Sequence, residues 1–393
     1  MKKTLLYLVL CLLIVFECLR VYLIMPMPGS QNLNSIDLAY FLGSNKHIIR
    51  IVGFLLLINP IIYIFKNGFK KHIILFIIFS IIYTLIFYVF TFKMEADKMF
   101  YQPTVVSFAN ISNNTIPTNK LIIGVDVDGI TKAYPIQLIG YHHQVRDTIN
   151  NKQVMVTYCT VCRTGRVYSP IVNGKVETFR LVGMDHFNAM FEDASTKSWW
   201  RQSNGECIAG TLKGYKLTEI KSEQVALNAW VRSHPNTLVL QPDAKFKEQF
   251  KGMDNYDKGN SKSGLTKRDT ASWKDKSWVI GIEKNSYVKA YDWNQIVKQS
   301  IIQDSMPNFP LLILLENDSS SFHTYSRILN TETLHFSKNG DLIKDLNTGS
   351  LWNYDGVCIE GKLKGTVLET IPSYQEYLHS WEFFHPKTVR YLK

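Results

Sequence analysis

The chain repeats itself. Ile123-Gly124-Val125 returns as Ile280-Gly281-Ile282, Lys132-Ala133-Tyr134 as Lys289-Ala290-Tyr291, Asp147 as Asp304 and Tyr168-Ser169 as Tyr325-Ser326, all at one offset of 157. Further on the offset falls to 152 and then 151, as a short gap requires. Asp193, Thr196, Ser198 and Trp200 return as Asp345, Thr348, Ser350 and Trp352; Gly205-x-Cys207 returns as Gly356-x-Cys358; Trp230 and His234-Pro235 return as Trp381 and His385-Pro386. So many ordered identities mean a duplication, which folds as two like lobes or as one pseudo-symmetric body.

Each copy consists of short alternating or apolar runs punctuated by turn pairs such as Asp128-Gly129, Asn173-Gly174 and Asn339-Gly340. Period-two runs between such turns are strands. One helix is expected to close each copy, at Ser222 to Ser233 and Ser373 to Phe384, with a short helix near Ile136 to Tyr141. The expected fold is therefore α+β and β-rich.

The residues ahead of the copies are different in kind. Thr4–Met25, Ile48–Phe65 and His72–Phe92 are apolar runs, each near the roughly 20 residues that cross a bilayer. Lys2 and Lys3 could begin a signal peptide, but no small-x-small cleavage site follows and two more runs come after. Lys66, Lys70, Lys71 and His72 separate the second and third runs, whereas the first loop holds only Asp37 and Lys46. The positive-inside rule then puts the N-terminus and the 66–72 loop in the cytoplasm and everything after about residue 92 outside it. The expected address is a bacterial inner membrane, with the lipid bilayer as a partner. Glu17 and Arg20, at i and i+3 in the first run, can pair with each other.

The expected organisation is 1–92 membrane helices, 93–120 linker, 121–242 first repeat, 243–276 polar connection and 277–393 second repeat. The net charge of +11 divides almost evenly between residues 1–98 and the rest. No basic stripe or nucleic-acid motif accompanies it, so nucleic acid is not an expected partner.

One stretch separates the copies chemically. Thr157-Tyr158-Cys159-Thr160-Val161-Cys162-Arg163 carries a C-x-x-C at the end of an apolar run, and the second copy has Glu316 and Ser319 in place of the cysteines. Two thiols at this spacing can form a disulfide, relay electrons or bind a soft metal. His143, replaced by Ser300 in the second copy, and His186 are further candidates. Arg163 follows where a covalent haem motif needs His. Cys207 and Cys358 recur in both copies and are expected in packing roles; Asp147 and Asp304, and Asp193 and Asp345, recur too and are expected in turn or hydrogen-bond roles.

Tyr158-Cys159-x-x-Cys162, preceded by His143-x-x-x-Asp147 and followed by Asp193-x-x-Thr196-x-Ser198-x-Trp200 and Gly205-x-x-Ile208-x-Gly210-x-Leu212-x-Gly214, resembles the bacterial and archaeal domain-of-unknown-function family 3179. The resemblance runs from about 120 to 393 and departs at Thr160-Val161, where the family usually has Pro-Leu. Some relatives carry selenocysteine in the motif, which implies redox chemistry. The expectation is a membrane-anchored extracytoplasmic protein with thiol-disulfide activity: Cys159 attacks, Cys162 resolves, and Arg163, Arg166 and His143 stabilise the thiolate, with a redox partner of unknown identity. Two alternatives stand beside it. One is a copper or zinc protein using Cys159, Cys162, His143 and His186, loaded by a metal donor. The other is a non-catalytic envelope protein whose duplicated domain binds a partner.

Overall fold

The computed structural model describes residues 1–392. Its chain forms two units, Met1–Tyr101 with Val172–Lys216, and Gln102–Ile171 with Leu217–Lys393.

The first unit begins with helix α1 (Lys2–Tyr22), a short α2 (Ile36–Ser44), α3 (Lys46–Lys66) and α4 (Lys70–Phe92). Three of these, α1, α3 and α4, are long and apolar enough to cross a membrane. They pack through Leu6, Leu10, Leu13, Leu57 and Ile64 and leave most of α4 exposed. Such outward apolar surface suits lipid, not water. Glu17, fully buried, accepts from Arg50 at 2.7 and 2.9 Å and from Arg20 at 3.4 Å. The charge that best satisfies Glu17 is thus Arg50 of α3, beyond the local i,i+3 pair. A four-stranded antiparallel sheet completes the unit, formed by Phe179–Asp185, Asn188–Asp193, Trp199–Arg201 and Cys207–Ala209.

The second unit shows the duplication in its strands. Leu121–Val127 pairs with Ile130–Pro135 and Ser222–Ala226; Trp278–Lys284 pairs with Tyr287–Asp292 and Ser373–Tyr377. A three-stranded meander follows each hairpin, Gln144–Ile149, Lys152–Cys159 and Thr164–Tyr168 in one case, Ile301–Met306, Phe309–Leu315 and Phe322–Ser326 in the other. Matching side chains do matching work. Asp147 accepts from Tyr134 and Lys132; Asp304 accepts from Tyr291 and pairs with Lys289. Trp230 stacks on His234 at 3.7 Å and Trp381 on His385 at 3.8 Å. Each tryptophan lies flat on a glycine: a Cβ would come within 2.5 Å of Trp230 at Gly124 and within 2.2 Å of Trp381 at Gly281. Only a residue without a side chain permits that approach.

The equivalents of Asp193 and Asp345 keep one role within their respective units: each accepts from a tryptophan indole, Trp200 or Trp352, and from the threonine three residues on. Cys207 and Cys358 are buried and donate to carbonyls of Ala209 and Glu360. Trp199 and Trp200 are buried.

The closing helices are shorter than expected. Ser222–Ala226 and Ser373–Tyr377 are strand, and helix begins only at Leu227 and Leu378. Pairing with an otherwise open strand edge outweighs the local helical preference of these residues. The segment 93–120 also holds a short strand, Phe108–Ala109, paired with Leu238–Leu240.

Candidate functional site

Cys159 ends its strand, Thr164 opens the next, and the two pair across a four-residue turn. No helix follows the cysteines in the chain, which runs from the turn into the strand Thr164–Tyr168. Arg163 takes the left-handed conformation at φ 59°, which a non-glycine residue adopts only when held there. It is held: Arg163 Nε donates to Gln375 at 2.7 Å, and its guanidinium lies 3.7 Å from the Trp278 ring centre. The turn thereby folds back and brings the sulfurs together. Cys159 and Cys162 are thiols, fully buried, with a hydrogen bond between them.

Lys276, the last residue of the connection, and Tyr377, His379 and Ser380 of the second repeat complete the site. Ser380 hydrogen-bonds the Cys162 sulfur, and Lys276 acts on both sulfurs through its charge. Lys276 Nζ donates to Val161 O at 2.7 Å and lies 3.1 Å from His379 Nε2. Tyr377 N donates to Cys162 O at 2.9 Å. Burial, and then the neighbouring Cys159, push the Cys162 thiol well above its usual range, while Ser380 and Lys276 pull the other way. Burial also lowers the Lys276 ammonium. His379 is brought down to about 3 by burial and by Lys276, so it is neutral.

The capping is reciprocal. Where Tyr377 meets the first repeat's turn, its equivalent Ala226 donates to Ser321 Oγ of the second repeat's turn at 2.9 Å. There Glu316, in the place of Cys159, pairs with Arg232 at 2.7 Å and with His323 at 2.8 Å. One pseudo-symmetric junction thus carries a dithiol on one side and an ion-pair cluster on the other.

The other sequence candidates lie as follows. Arg166 Nη2 donates to Glu376 at 2.9 Å and its guanidinium stacks on Tyr374 at 3.1 Å. With Arg163 on Gln375, both arginines bind the repeats to each other, and the cation acting on the sulfurs is Lys276. His143 caps the helix Ile136–His142 in the left-handed conformation, as Ser300 does in the second repeat. Its Nδ1 is 3.2 Å from Tyr141 O, and burial lowers it to about 4. His186 belongs to the first unit, at a hairpin tip, with Nδ1 2.5 Å from Asp185. Among the described residues, no group of three or more His, Cys, Asp or Glu converges as a metal ion would need.

Sequence reasoning missed Lys276, His379 and Ser380. Their counterparts in the first repeat are Asn119, Asn228 and Ala229. A cation just ahead of the copy that lacks the cysteines, and an imidazole and a hydroxyl within it, have no like residue at the equivalent positions, and that cross-difference was the available signal. The connecting segment packs against the turn: Tyr256 donates to Thr160 O at 3.0 Å. Two cavities of about 260 Å³ open in this unit, and Cys159 and Cys162 line neither.

A β-rich α+β chain with three long apolar helices and a duplicated strand order is thereby defined. The family model described as "Protein of unknown function (DUF3179)" matches residues 100–388, and the chain belongs to that family. No curated protein and no solved structure matches it.

Proposed function

We propose that this is a membrane-anchored protein whose Cys159 and Cys162 form a redox-active dithiol. The observation that carries the reading is the pair of hydrogen-bonded thiols beside the Lys276 ammonium. A positive charge beside a thiol favours its thiolate, and the thiolate is the nucleophile.

The co-reactant is a disulfide, R–S–S–R, of a small thiol or a protein. Cys159 attacks one sulfur as the thiolate that the Lys276 charge favours, releasing RS⁻, and the proton lost from Cys159 is taken up by that RS⁻. Cys162 then attacks the Cys159 sulfur of the mixed disulfide, and its proton passes to the second RS⁻. Two thiols are oxidised to one disulfide and R–S–S–R is reduced to two RSH. A raised pKa suits Cys162 to the resolving role, since it stays protonated until the mixed disulfide forms. Ser380, bonded to Cys162, donates at 3.1 Å to Glu376, which gives that proton a route.

The helices α1, α3 and α4 are read as spans, with the N-terminus in the cytoplasm and residues after about 92 outside, in the inner membrane of a bacterium. Disulfide chemistry persists in that compartment.

The test is trapping. Full-length protein in detergent is incubated with glutathione disulfide and analysed by mass. The wild type is expected to gain an internal disulfide, and Cys162→Ser a stable glutathione adduct on Cys159. Failure of both to react, or one zinc or copper per chain lost in a Cys159→Ser/Cys162→Ser variant, would replace this reading with a structural or a metal-binding one.

A further inference from the structure

The two cavities of the second unit adjoin. They share Lys221, Ser222, Glu223 and Thr370 and together form one groove between the repeats. Its two sides are equivalent stretches, 219–224 of the first repeat and 370–374 of the second. Phe322 and Thr324 of the second repeat's meander also line it, where the first repeat has Gly165 and Val167. Thr324 is buried, and its hydroxyl has no hydrogen-bond partner among the described residues. A buried hydroxyl left in that state is destabilising, and the carbonyl of a ligand would satisfy it.

Most charges along the groove are already engaged. Glu219 accepts from Tyr374 at 2.9 Å and lies 3.7 Å from Arg166. Asp355 accepts from Asn353 at 3.2 Å and lies 3.9 Å from Arg232, and Asp126 accepts from Gly129 N at 2.8 Å. Lys221 and Glu223 are the exceptions. The Glu223 carboxylate comes no nearer to a cation than 4.0 Å, at His323 Nδ1, and the other nitrogen of that ring is held by Glu316 at 2.8 Å. The Lys221 ammonium has neither a hydrogen bond nor an ion pair among the described residues. Both side chains line both cavities. Two residues apart in the chain, their Cα atoms span at most about 7 Å, the scale of the two ends of a dipeptide. One carboxylate and one ammonium at that spacing suit a ligand that carries both charges. Beside them the wall is apolar, with Phe322, Ile371 and Pro372.

We propose that this groove binds a short peptide by its two ends, the ammonium on Glu223 and the carboxylate on Lys221. An apolar side chain of the peptide lies against Phe322, Ile371 and Pro372, and the Thr324 hydroxyl donates to a peptide carbonyl. The proposal goes beyond the dithiol reading and does not depend on it.

Isothermal titration calorimetry of the full-length chain in detergent tests it, with alanyl-leucine and leucyl-alanine as probes. One site per chain is expected. N-acetylation or C-amidation removes one charge from the peptide, and each is expected to weaken binding about tenfold. Glu223→Gln is expected to weaken the free peptide about as much and to leave the N-acetylated one unaffected; Lys221→Gln is expected to do the same for the amidated one. No saturable binding of either peptide at millimolar concentration, equal binding of the blocked peptides, or variants that bind as the wild type does would overturn the site. If a variant does not fold, the blocked peptides decide on the wild type. The titration involves no cysteine chemistry, so its outcome and that of the trapping are read separately.

Discussion

At the residue scale, the site is a balance between one cation and two buried sulfurs. Removing the Lys276 charge takes away the cation that favours the thiolate and leaves the thiols desolvated. Lys276→Met is therefore expected to slow alkylation of Cys159 at pH 7 by roughly tenfold, which corresponds to about one pKa unit, and Lys276→Arg to restore part of the rate. Stopped alkylation followed by mass analysis reads this directly, and an unchanged rate would remove Lys276 from the account. The histidines give a second expectation. His379 and His143 are held neutral, at about 3 and about 4. A lowered histidine pKa means that the unfolded chain binds more protons below about 6.5, so stability is lost as pH falls through that value towards 3 to 4. His379→Gln is expected to flatten this dependence in the unfolding midpoint measured between pH 7 and 4. A slope unchanged from wild type would show that His379 is not buried neutral. What the sequence disclosed at this scale was the dithiol itself. It pointed to Arg163 and Arg166 as thiolate partners because they are near in the chain. The partner in space is Lys276, more than a hundred residues away, brought in by a junction between repeats that spacing alone does not reveal.

At the scale of elements, each sheet is fixed to its closing helix by a tryptophan lying on a glycine. Gly281→Ala drives a methyl into Trp381 and is expected to cost about 1–3 kcal/mol, the range for overpacking. Gly124→Ala should cost a similar amount through Trp230, and chemical denaturation of the full-length protein in detergent would measure both. A neutral outcome would mean that the helices are not anchored there. The turn signals and the period-two runs located most strands, because alternation reflects a sheet with one buried face. The closing helices were overextended in the sequence reading, because Ser222–Ala226 and Ser373–Tyr377 become strand only by pairing with partners about a hundred residues away. The connection before Trp278 looked like a polar tether. Tyr256, buried and bonded to Thr160 O, packs it against the turn, so Tyr256→Phe is expected to expose the cysteines and raise their alkylation rate.

At the scale of the molecule, duplication divides labour unevenly. The first repeat supplies the thiols, the end of the connection supplies the cation, and the second repeat supplies the imidazole and the hydroxyl. Arg166 with Glu376 and Arg163 with Gln375 tie the two together. The sequence made the duplication and the loss of the cysteines from one copy legible. It did not show that the copy without cysteines completes the site, because that depends on a junction formed by tertiary packing. The helical region has its own internal dependence. Glu17→Gln would strand Arg50, and the loss of one member of a buried pair costs about 3–5 kcal/mol; detergent-solubilised yield and unfolding midpoint should both fall, and Glu17→Gln/Arg50→Met should recover part of the loss. The claim at the centre is that Cys159 and Cys162 exchange electrons as a pair. Full-length protein equilibrated across dithiothreitol redox buffers, then alkylated and weighed, should show one two-electron transition between dithiol and disulfide within the buffered range, with a midpoint displaced in Lys276→Met. A dithiol that stays reduced at every potential, even in the Tyr256→Phe variant, would contradict it.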